Sequence, residues 1–459
     1  MKKSWKGRIF RSKPHTFLRL SMYSAVFFFA LILSACGGGS NSGGGGSTSS
    51  PGTVGSGGGG TTGGGGGSTT GAVASLVIAT TNTSNDTILS SFTYTSSGTL
   101  TAPSTPNTLT IPPSGSTCSG VPVANSYDKP DGLLFIAFNP SSSTITICSY
   151  QVSPTTGTIS SSISNINSAS GSGFVLDTIN KVILVTQNSG GTIYSYTYSS
   201  NGNISSTANT LNTSPIPTGN SPINGDFANQ ILWYGTTSGG NNTIVGTCKL
   251  TFSSGSYSLT SCGSISNSIT VPQGNTISFG SDGVLIYDNS PSNCNGTSVS
   301  AYINIYSTTT GNFSTTNPAS TSIGTCANIA YIGGNNGDVS ADLTKDLFFA
   351  QANGSSNVTA YSFSVTPPGS FGSNFSGPLS NQTSGLYLEN VNDFIVYLNG
   401  SNTSSGSGST TTTITGATFL PYTSSSFGTA STVSPTLSSS TFTCPNSGNC
   451  TYGVFAFIN

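Results

Sequence analysis

From residue 73 to the end of the chain, apolar and polar positions alternate with a period of two, and Gly, Asn and Ser interrupt the alternation at short intervals. Val, Ile, Thr, Tyr and Phe dominate the alternating segments, and these residues fit the half-buried surface of a pleated strand. No segment shows the apolar period of three to four residues that marks an amphipathic helix. The pattern predicts an all-β domain over residues 73–459.

A hairpin-like unit recurs seven times in this region. Each unit has an apolar strand, a polar loop, an alternating strand that ends near an aromatic residue, and a Gly turn. The units begin at Ser75, Gly132, Lys181, Gln230, Gly283, Asp346 and Asp393. A spacing of about 50 residues leaves room for four short strands in each copy. Because such sheets cover both apolar faces when they stack around a ring, the repeat predicts a seven-bladed β-propeller.

The two ends of the repeat region suggest how the ring closes. The first unit starts at its second strand, since only a Gly-rich segment precedes it, and the chain ends in the strand-like segment TYGVFAFIN. We predict that this tail completes the first blade. A large sandwich and a β-helix are the alternatives, but β-helix rungs are shorter and two sandwiches do not explain a single period.

Two units, LLFIAFNPSSSTITICSYQVSPTTGTIS and DLFFAQANGSSNVTAYSFSVTPPGSFG, resemble the repeat of lactonase-type seven-bladed propellers, also called YVTN repeats. The shared scheme is an apolar strand that ends near Asn, a small polar loop, an alternating strand, and Gly before the last strand. The resemblance spans residues 73–459 and implies the fold. Lactonases of this type are assigned His, Arg or Glu in a central cleft. This region has no His and no Arg, so the resemblance transfers no catalytic residue.

The N-terminus carries an export signal. Seven of the eleven cationic residues lie in the first 20 positions and an apolar run over 22–33 follows. The next residues, LSAC, resemble a bacterial lipobox, in which the Cys receives a diacylglycerol and the chain is cut before it. We expect residues 1–35 to be a lipoprotein signal peptide and Cys36 to be lipidated; an ordinary secretory signal is the alternative. Gly37 instead of Asp favours the outer membrane or cell surface of the bacterial envelope.

Residues 36–72 consist almost wholly of Gly, Ser and Thr after the Cys. Such a sequence behaves as a flexible coil, with a root-mean-square reach of about 33 Å. We expect it to tether the β domain to the membrane through the lipid.

Charge is scarce throughout the chain, at 5% of residues against about 25% in an ordinary domain. Removal of residues 1–35 leaves four lysines, twelve acidic residues, no His and no Arg, a net charge of −8. This excludes a basic nucleic-acid surface and a Ser-His-Asp triad. With so few titrating groups, stability should vary little with pH.

These exclusions favour a non-enzymatic, monomeric scaffold that binds a polysaccharide or a protein. The alternative is a divergent lactonase-like hydrolase or lyase that uses carboxylates or a bound cation.

The remaining candidate chemistry is carboxylate chemistry. Asp338, Asp342 and Asp346 recur every four residues and offer oxygen ligands that suit Ca²⁺, although turns between strands explain the spacing equally simply. Glu389 and Asp393 form a second candidate acidic site. On one strand, a four-residue offset would separate them by about 13 Å, which exceeds the usual spacing of paired glycosidase carboxylates. We predict no resident cofactor.

Eight cysteines remain after Cys36, and export makes four disulfides plausible. The repeat frame selects the pairs Cys118–Cys148, Cys248–Cys262, Cys294–Cys326 and Cys444–Cys450.

Overall fold

The structure is a computed structural model of the whole chain. The chain divides into two units, Met1–Gly67 and Ser68–Asn459, and every residue that the structure describes lies in the second. The described residues are 72, 74–81, 86–99, 101, 107–120, 122–141, 144–169, 174–186, 192–212, 223–238, 242–253, 255–262, 269–271, 277–288, 298–314, 318–325, 328–329, 341–351, 355–367, 369–379, 386–404, 410–433, 441–444 and 453–458. The predicted signal peptide, Cys36, all but the last residue of the tether, Asp338, Cys294, Cys326 and Cys450 lie outside them.

The described strands form seven antiparallel sheets. Sheet 1 begins with β1 (Ala74–Thr81), β2 (Thr87–Tyr94) and β3 (Asn107–Ile111). Sheet 2 contains β4 (Pro122–Asp128), β5 (Leu133–Ser141), β6 (Thr144–Gln151) and β7 (Ser164–Ala169). Sheet 3 contains β8 (Phe174–Asp177), β9 (Val182–Thr186), β10 (Thr192–Thr197) and β11 (Asn209–Asn212). Sheet 4 contains β12 (Ile223–Asp226), the one-turn 3₁₀ helix Phe227–Asn229, β13 (Ile231–Ser238), β14 (Asn242–Ser253), β15 (Ser256–Cys262) and β16 (Ile269–Val271).

The remaining sheets follow the same plan. Sheet 5 contains β17 (Ile277–Ser281), β18 (Val284–Asp288), β19 (Ser298–Ile305) and β20 (Ala319–Thr325). Sheet 6 contains β21 (Asn328–Ile329), β22 (Ala341–Asp342), β23 (Leu347–Gln351), β24 (Asn357–Ser364) and β25 (Ser370–Pro378). Sheet 7 contains β26 (Tyr387–Glu389), β27 (Phe394–Ser404), β28 (Thr410–Pro421), β29 (Ser431–Val433) and β30 (Thr441–Cys444). The last strand, β31 (Gly453–Ile458), pairs antiparallel with β1 and completes sheet 1.

The all-β prediction is confirmed. Within a sheet, the strands pair mostly in chain order, as in a succession of hairpins. No helix in the described part of the chain is long and apolar enough to cross a bilayer.

We count β31 as the first strand of sheet 1, and β21 with β22 as the first strand of sheet 6, since both pair with β23. The second strand of each sheet is then an apolar run, because neighbouring sheets cover both of its faces. In β5, every side chain from Leu133 to Phe138 is fully buried. Phe135 faces sheet 3, in a cluster with Leu176 and Ile183, whereas Leu134 belongs to a cluster with residues of sheet 1. Burial of each such side chain contributes about 1.5–3 kcal/mol, so the contacts between sheets are the main stabilising feature of the fold.

Sheet 1 is assembled from the two ends of the domain, and its faces are covered in the same way. Leu76 and Phe92 pack with Phe394 of sheet 7, and Val77 belongs to the cluster that includes Leu134 of sheet 2. The seven sheets thus follow one another without an uncovered apolar face among the described residues, an arrangement consistent with a propeller.

Two of the four predicted cysteine pairs can be compared with the structure. The Sγ atoms of Cys118 and Cys148 are 1.99 Å apart, and Cys148 lies on β6. Cys248 is disulfide-bonded, and its backbone is paired with that of Cys262 across β14 and β15. The Cys294–Cys326 and Cys444–Cys450 pairs each include a residue outside the described part.

Candidate functional site

The charged residues gather in the turns that join the first and second strands of sheets 2 to 7. We call these turns the acidic turns, residues 128–132, 177–181, 226–230, 281–283, 342–346 and 389–393. They contain nine of the twelve acidic residues and three of the four lysines of residues 36–459. The fourth, Lys249, donates from Nζ to the backbone oxygen of Asn229 in the sheet 4 turn, at 2.6 Å. The scarce charge is therefore concentrated at one end of the sheets.

Five first strands end in a carboxylate that is at most 2% exposed: Asp128, Asp177, Asp226, Asp342 and Glu389. Four of them accept hydrogen bonds from amides of their own turn, as at a helix N-cap. Asp342 accepts from the Thr344 amide at 2.8 Å, and Glu389 accepts from the Val391 and Asn392 amides at 3.2 and 2.8 Å. These carboxylates hold the turns in shape.

Each turn ends in a residue of left-handed conformation. The non-glycine examples are Lys181, Gln230, Asp346 and Asp393, with φ between 52° and 63°. Their carbonyls accept hydrogen bonds from the residue just beyond the third strand or at its end, as in the bond of 2.9 Å from the Tyr198 amide to the Lys181 oxygen. In the other sheets, the amides that donate the equivalent bond to the last carbonyl of the turn are those of Val152, Leu250, Tyr306, Phe363 and Tyr422. We call this place in the sheet the tyrosine position.

Tyrosines at this position reach the buried carboxylate of the preceding sheet. The hydroxyl of Tyr198 donates to Asp128 at 2.8 Å, that of Tyr306 to Asp226 at 2.7 Å, and that of Tyr422 to Asp342 at 3.1 Å. We call these contacts the acid–tyrosine pairs. In sheet 1, the buried Tyr94 lies in the field of Glu389 of sheet 7.

The carboxylate of one sheet and the tyrosine of the next sheet are present or absent together, with one exception. Sheet 5 has Ser281 at the end of its first strand, and sheet 6 accordingly has Phe363 at the tyrosine position. The one mismatch is Leu250, which follows Asp177 of sheet 3. There the hydroxyl of Tyr257, from β15, donates to Asp177 instead. A phenol from the next sheet thus donates to each of four buried carboxylates, Asp128, Asp177, Asp226 and Asp342.

Two lysines link neighbouring acidic turns. Lys181 lies 2.6 Å from both Asp128 and Asp131, and Lys345 lies 3.2 Å from Asp342 and 2.5 Å from Asp393. Burial acts to lower the pKa of both lysines, but the hydrogen bonds and charges of their carboxylate partners outweigh it and raise the pKa.

The surroundings shift the pKa values of three turn carboxylates in different directions. Burial raises the pKa of Asp177, against the hydrogen bonds from Asn180 and Ile179. Burial also acts to raise the pKa of Asp342, but the hydrogen bonds from Thr344 and Lys345 prevail and lower it. Burial, with the charge of Asp342, raises the pKa of Asp346.

The predicted acidic site has a different geometry from the one expected. Glu389 ends β26, but Asp393 lies in the turn after it and not on the same strand. The assumption of a shared strand was therefore wrong, and the separation of 13 Å derived from it does not apply. Glu389 binds its own turn, whereas Asp393 pairs with Lys345.

The residues predicted as Ca²⁺ ligands have separate structural roles. Asp342 accepts from Thr344, Lys345 and Tyr422, and Asp346 takes the left-handed position at the end of the turn. Asp338 lies outside the described residues. Among the residues that are described, no three His, Cys, Asp or Glu side chains are grouped as ligands of one metal ion.

Sequence reasoning missed the tyrosines. They lie 70 to 80 residues from the carboxylates that they contact. The available signal was the aromatic residue that closes several units.

Comparisons with known proteins were made for the sequence and for the structure. No protein-family model matches the chain, and no curated protein matches it. Solved structures do align with it. The periplasmic gluconolactonase PpgL of Pseudomonas aeruginosa shows 11% identity over 81% of this chain and 99% of its own, with a TM-score of 0.46.

Two further structures align over similar lengths. A provisional 6-phosphogluconolactonase of Bacteroides fragilis has 10% identity over 80% of this chain and 97% of its own, with a TM-score of 0.46. Citrobacter koseri AztD has 8% identity over 81% of this chain and 96% of its own, with a TM-score of 0.38. All three TM-scores are below 0.5, so the description of the fold rests on the strand pairing of this chain.

Proposed function

We propose that the seven sheets are the blades of one closed propeller, and that this domain is a non-enzymatic binding scaffold for an uncharged polyhydroxy ligand such as a neutral polysaccharide. The observation that supports this proposal is the separation of charged from uncharged residues between the two ends of the sheets.

At the end with the acidic turns, the carboxylates bond to their turns, to neighbouring tyrosines or to lysines. Among the acids of the two candidate sites, Glu389 and Asp342 are at most 1% exposed, and Asp393, whose side chain is 37% exposed, is paired with Lys345. A hydrolytic carboxylate must reach the substrate directly or through one water molecule. The engaged carboxylates therefore favour a structural role at this end.

The opposite end carries the hairpins between second and third strands. The second strands end, and the third strands begin, in Ser, Thr, Asn or Gln at every sheet except at Asp288, and one further acid, Asp86, lies just before β2. Hydroxyl and amide groups recognise a neutral glycan through hydrogen bonds that require no charge. We therefore place the ligand at this end.

Binding is expected to be insensitive to salt. The mature protein should bind neutral polysaccharides with less than about a twofold change in Kd between low salt and about 0.5 M NaCl, since screening weakens only charge contacts. A glycan array followed by calorimetry at both salt concentrations measures this. Exclusive binding to charged glycans, or turnover of lactones, would contradict the proposal.

A matched pair of variants locates the binding surface. Ser298 and Asn357 are exposed and begin the third strands of sheets 5 and 6. Replacement of both by Glu should weaken binding at least about tenfold, which is about 1.4 kcal/mol. In the control, replacement of Ile179 and Val391 by Glu adds the same charge at the exposed tips of two acidic turns, and binding should not change.

We further propose that Cys36 anchors the domain to the outer membrane or cell surface, on the evidence of the lipobox-like sequence LSAC. The protein should take up labelled fatty acid and fractionate with membranes. Cys36→Ser should abolish both. Retention of the label in this variant would place the acyl chain elsewhere.

A further inference from the structure

Lys129 has a partner unlike those of the other lysines that the structure describes. Lys181 and Lys345 face carboxylates, and Lys249 faces backbone carbonyls. Lys129 lies with its Nζ 3.3 Å from the side-chain oxygen of Asn390, an amide that is 261 residues away in the chain. The contact therefore places an amine against the oxygen of a carboxamide.

The contact also spans the sheet that joins the two ends of the domain. Lys129 belongs to the acidic turn of sheet 2 and Asn390 to that of sheet 7. Sheets 2 and 7 flank sheet 1, which is completed by β31 against β1. A bond at this point would link the neighbours of the closing sheet directly.

Asn390 follows a buried carboxylate. Glu389 is fully buried, and its oxygens are fixed by the amides of Val391 and Asn392. On the other side, the Lys129 nitrogen lies 5.7 Å from the centre of the Tyr127 ring. Amine, carboxamide and carboxylate are the three groups that amide transfer to a lysine requires.

We propose that Lys129 and Asn390 form an intramolecular isopeptide bond, with Glu389 as the proton relay. The Lys129 nitrogen attacks the Asn390 side-chain carbonyl carbon, a new N–C bond forms, and the C–Nδ2 bond breaks. Before the attack, the Lys129 ammonium gives one proton to Glu389, and this frees the lone pair that attacks. Glu389 passes this proton and the second proton lost by the nitrogen to Nδ2, which leaves as ammonium, so Glu389 ends as it began. The reaction consumes no oxidant and no co-reactant. Proximity favours it, because the fold holds the Lys129 nitrogen 3.3 Å from the oxygen bonded to the carbon that it attacks.

Mass spectrometry of the reduced full chain, after digestion with trypsin, tests the proposal. Residue 130 is Pro, so trypsin leaves the chain uncut after Lys129 in every case and Lys129 stays within the fragment that ends at Lys181. The fragment that ends at Lys181 should remain joined to the fragment that begins at Asp346, and the pair should weigh one ammonia less than the sum of its parts. Two separate fragments of full mass would overturn the proposal and leave a hydrogen bond only.

Variants separate the isopeptide bond from other losses of ammonia. Lys129→Arg and Asn390→Ala should both restore the full mass and separate the fragments, whereas the control Lys345→Arg should keep them joined. Glu389→Gln should lower the joined fraction at least tenfold if this carboxylate relays the proton. An ammonia loss that persists in Lys129→Arg would indicate cyclisation of an asparagine and would overturn the assignment.

Discussion

Raising the pH from about 9 to about 11 is expected to unfold the β domain in one steep transition. The cause is a set of buried tyrosines whose pKa is raised above the ordinary value of about 10. Burial is the largest contribution in every case, and nearby acids add to it at Tyr94, Tyr198, Tyr306 and Tyr422. The tyrosines with the largest shifts are Tyr94, Tyr150, Tyr198, Tyr287, Tyr306 and Tyr422, and burial also raises the pKa of Tyr361.

The direction and size of this effect follow from proton linkage. Above pH 10 these tyrosines ionise in the unfolded chain but stay protonated in the folded domain, so each rise in pH stabilises the unfolded state. One group contributes about 1.4 kcal/mol per pH unit, and six contribute about 8 kcal/mol by pH 11. A domain of ordinary stability, about 5–15 kcal/mol, loses most or all of its free energy of unfolding in this range.

Circular dichroism and tyrosinate absorbance, followed together through the alkaline range, provide the measurement. We expect these tyrosines to ionise only as the sheet signal is lost. Tyr150→Phe is a suitable variant, because the Tyr150 hydroxyl is buried with no hydrogen-bond partner among the described residues. It should leave stability at pH 7 nearly unchanged and add about 1.4 kcal/mol at pH 11. Ionisation of the whole set near pH 10 with the fold intact would contradict the explanation.

The expectation from the low charge, that stability varies little with pH, therefore fails on the alkaline side, because it left out the buried tyrosines. On the acid side, stability should still change little. The lowered pKa of Asp342 gives a contribution to stability that is present at neutral pH and is lost as the pH falls below about 4. The raised pKa values of Asp177 and Asp346 act in the opposite direction, because these groups take up protons more readily in the folded state. The two effects offset each other, so the melting temperature should be nearly constant from pH 7 to about pH 4.

The β strands could be predicted from the sequence because their signals are local. Alternation and apolar runs such as LLFIAF mark strands directly, and the recurrence of one unit marks sheets of one kind. The Cys118–Cys148 pair also followed from the repeat, because the two residues lie only 30 positions apart, around a single sheet.

The environment of the carboxylates could not be predicted in the same way. The position of Asp128 in a turn was readable from YDKPDG, but its partners Lys181 and Tyr198 belong to the next sheet. Likewise, the strand assumed to carry both Glu389 and Asp393 ends at Glu389, because the carboxylate itself caps the turn that follows. Contacts between sheets depend on how the sheets stack, and one sequence contains no local signal for that.

Loss of one acid–tyrosine pair should cost a large part of the stability of the domain. Asp226 is 2% exposed and accepts hydrogen bonds from the Asn229 amide, the Asn229 side chain and the Tyr306 hydroxyl. Asp226→Ala leaves these donors without their acceptor and should cost about 3–5 kcal/mol. Tyr306→Phe removes one hydrogen bond to a charged group and should cost about 1.5–3 kcal/mol.

Urea unfolding of the two single variants and the double variant gives the coupling energy of the pair. We expect about 1.5–3 kcal/mol, because each single variant already breaks the contact that the other would break. Additive losses would show that the two residues stabilise the fold independently.

Sheets 3 and 4, where Leu250 occupies the tyrosine position and Tyr257 donates to Asp177, provide a second test of the acid–tyrosine pairs. Tyr257→Phe should destabilise the domain, because it removes the hydroxyl that Asp177 receives from β15. The backbone of Leu250 occupies the place that Tyr198, Tyr306 and Tyr422 hold in their sheets, with its amide 2.7 Å from the Gln230 oxygen. Leu250→Tyr should therefore recover stability in the Tyr257→Phe background. In the wild-type background it should cost about 1–3 kcal/mol, because Asp177 already has its phenol and the larger side chain crowds the core. An equal effect of Leu250→Tyr on stability in both backgrounds would contradict this. It would show that a tyrosine at position 250 cannot replace Tyr257 as the donor to Asp177.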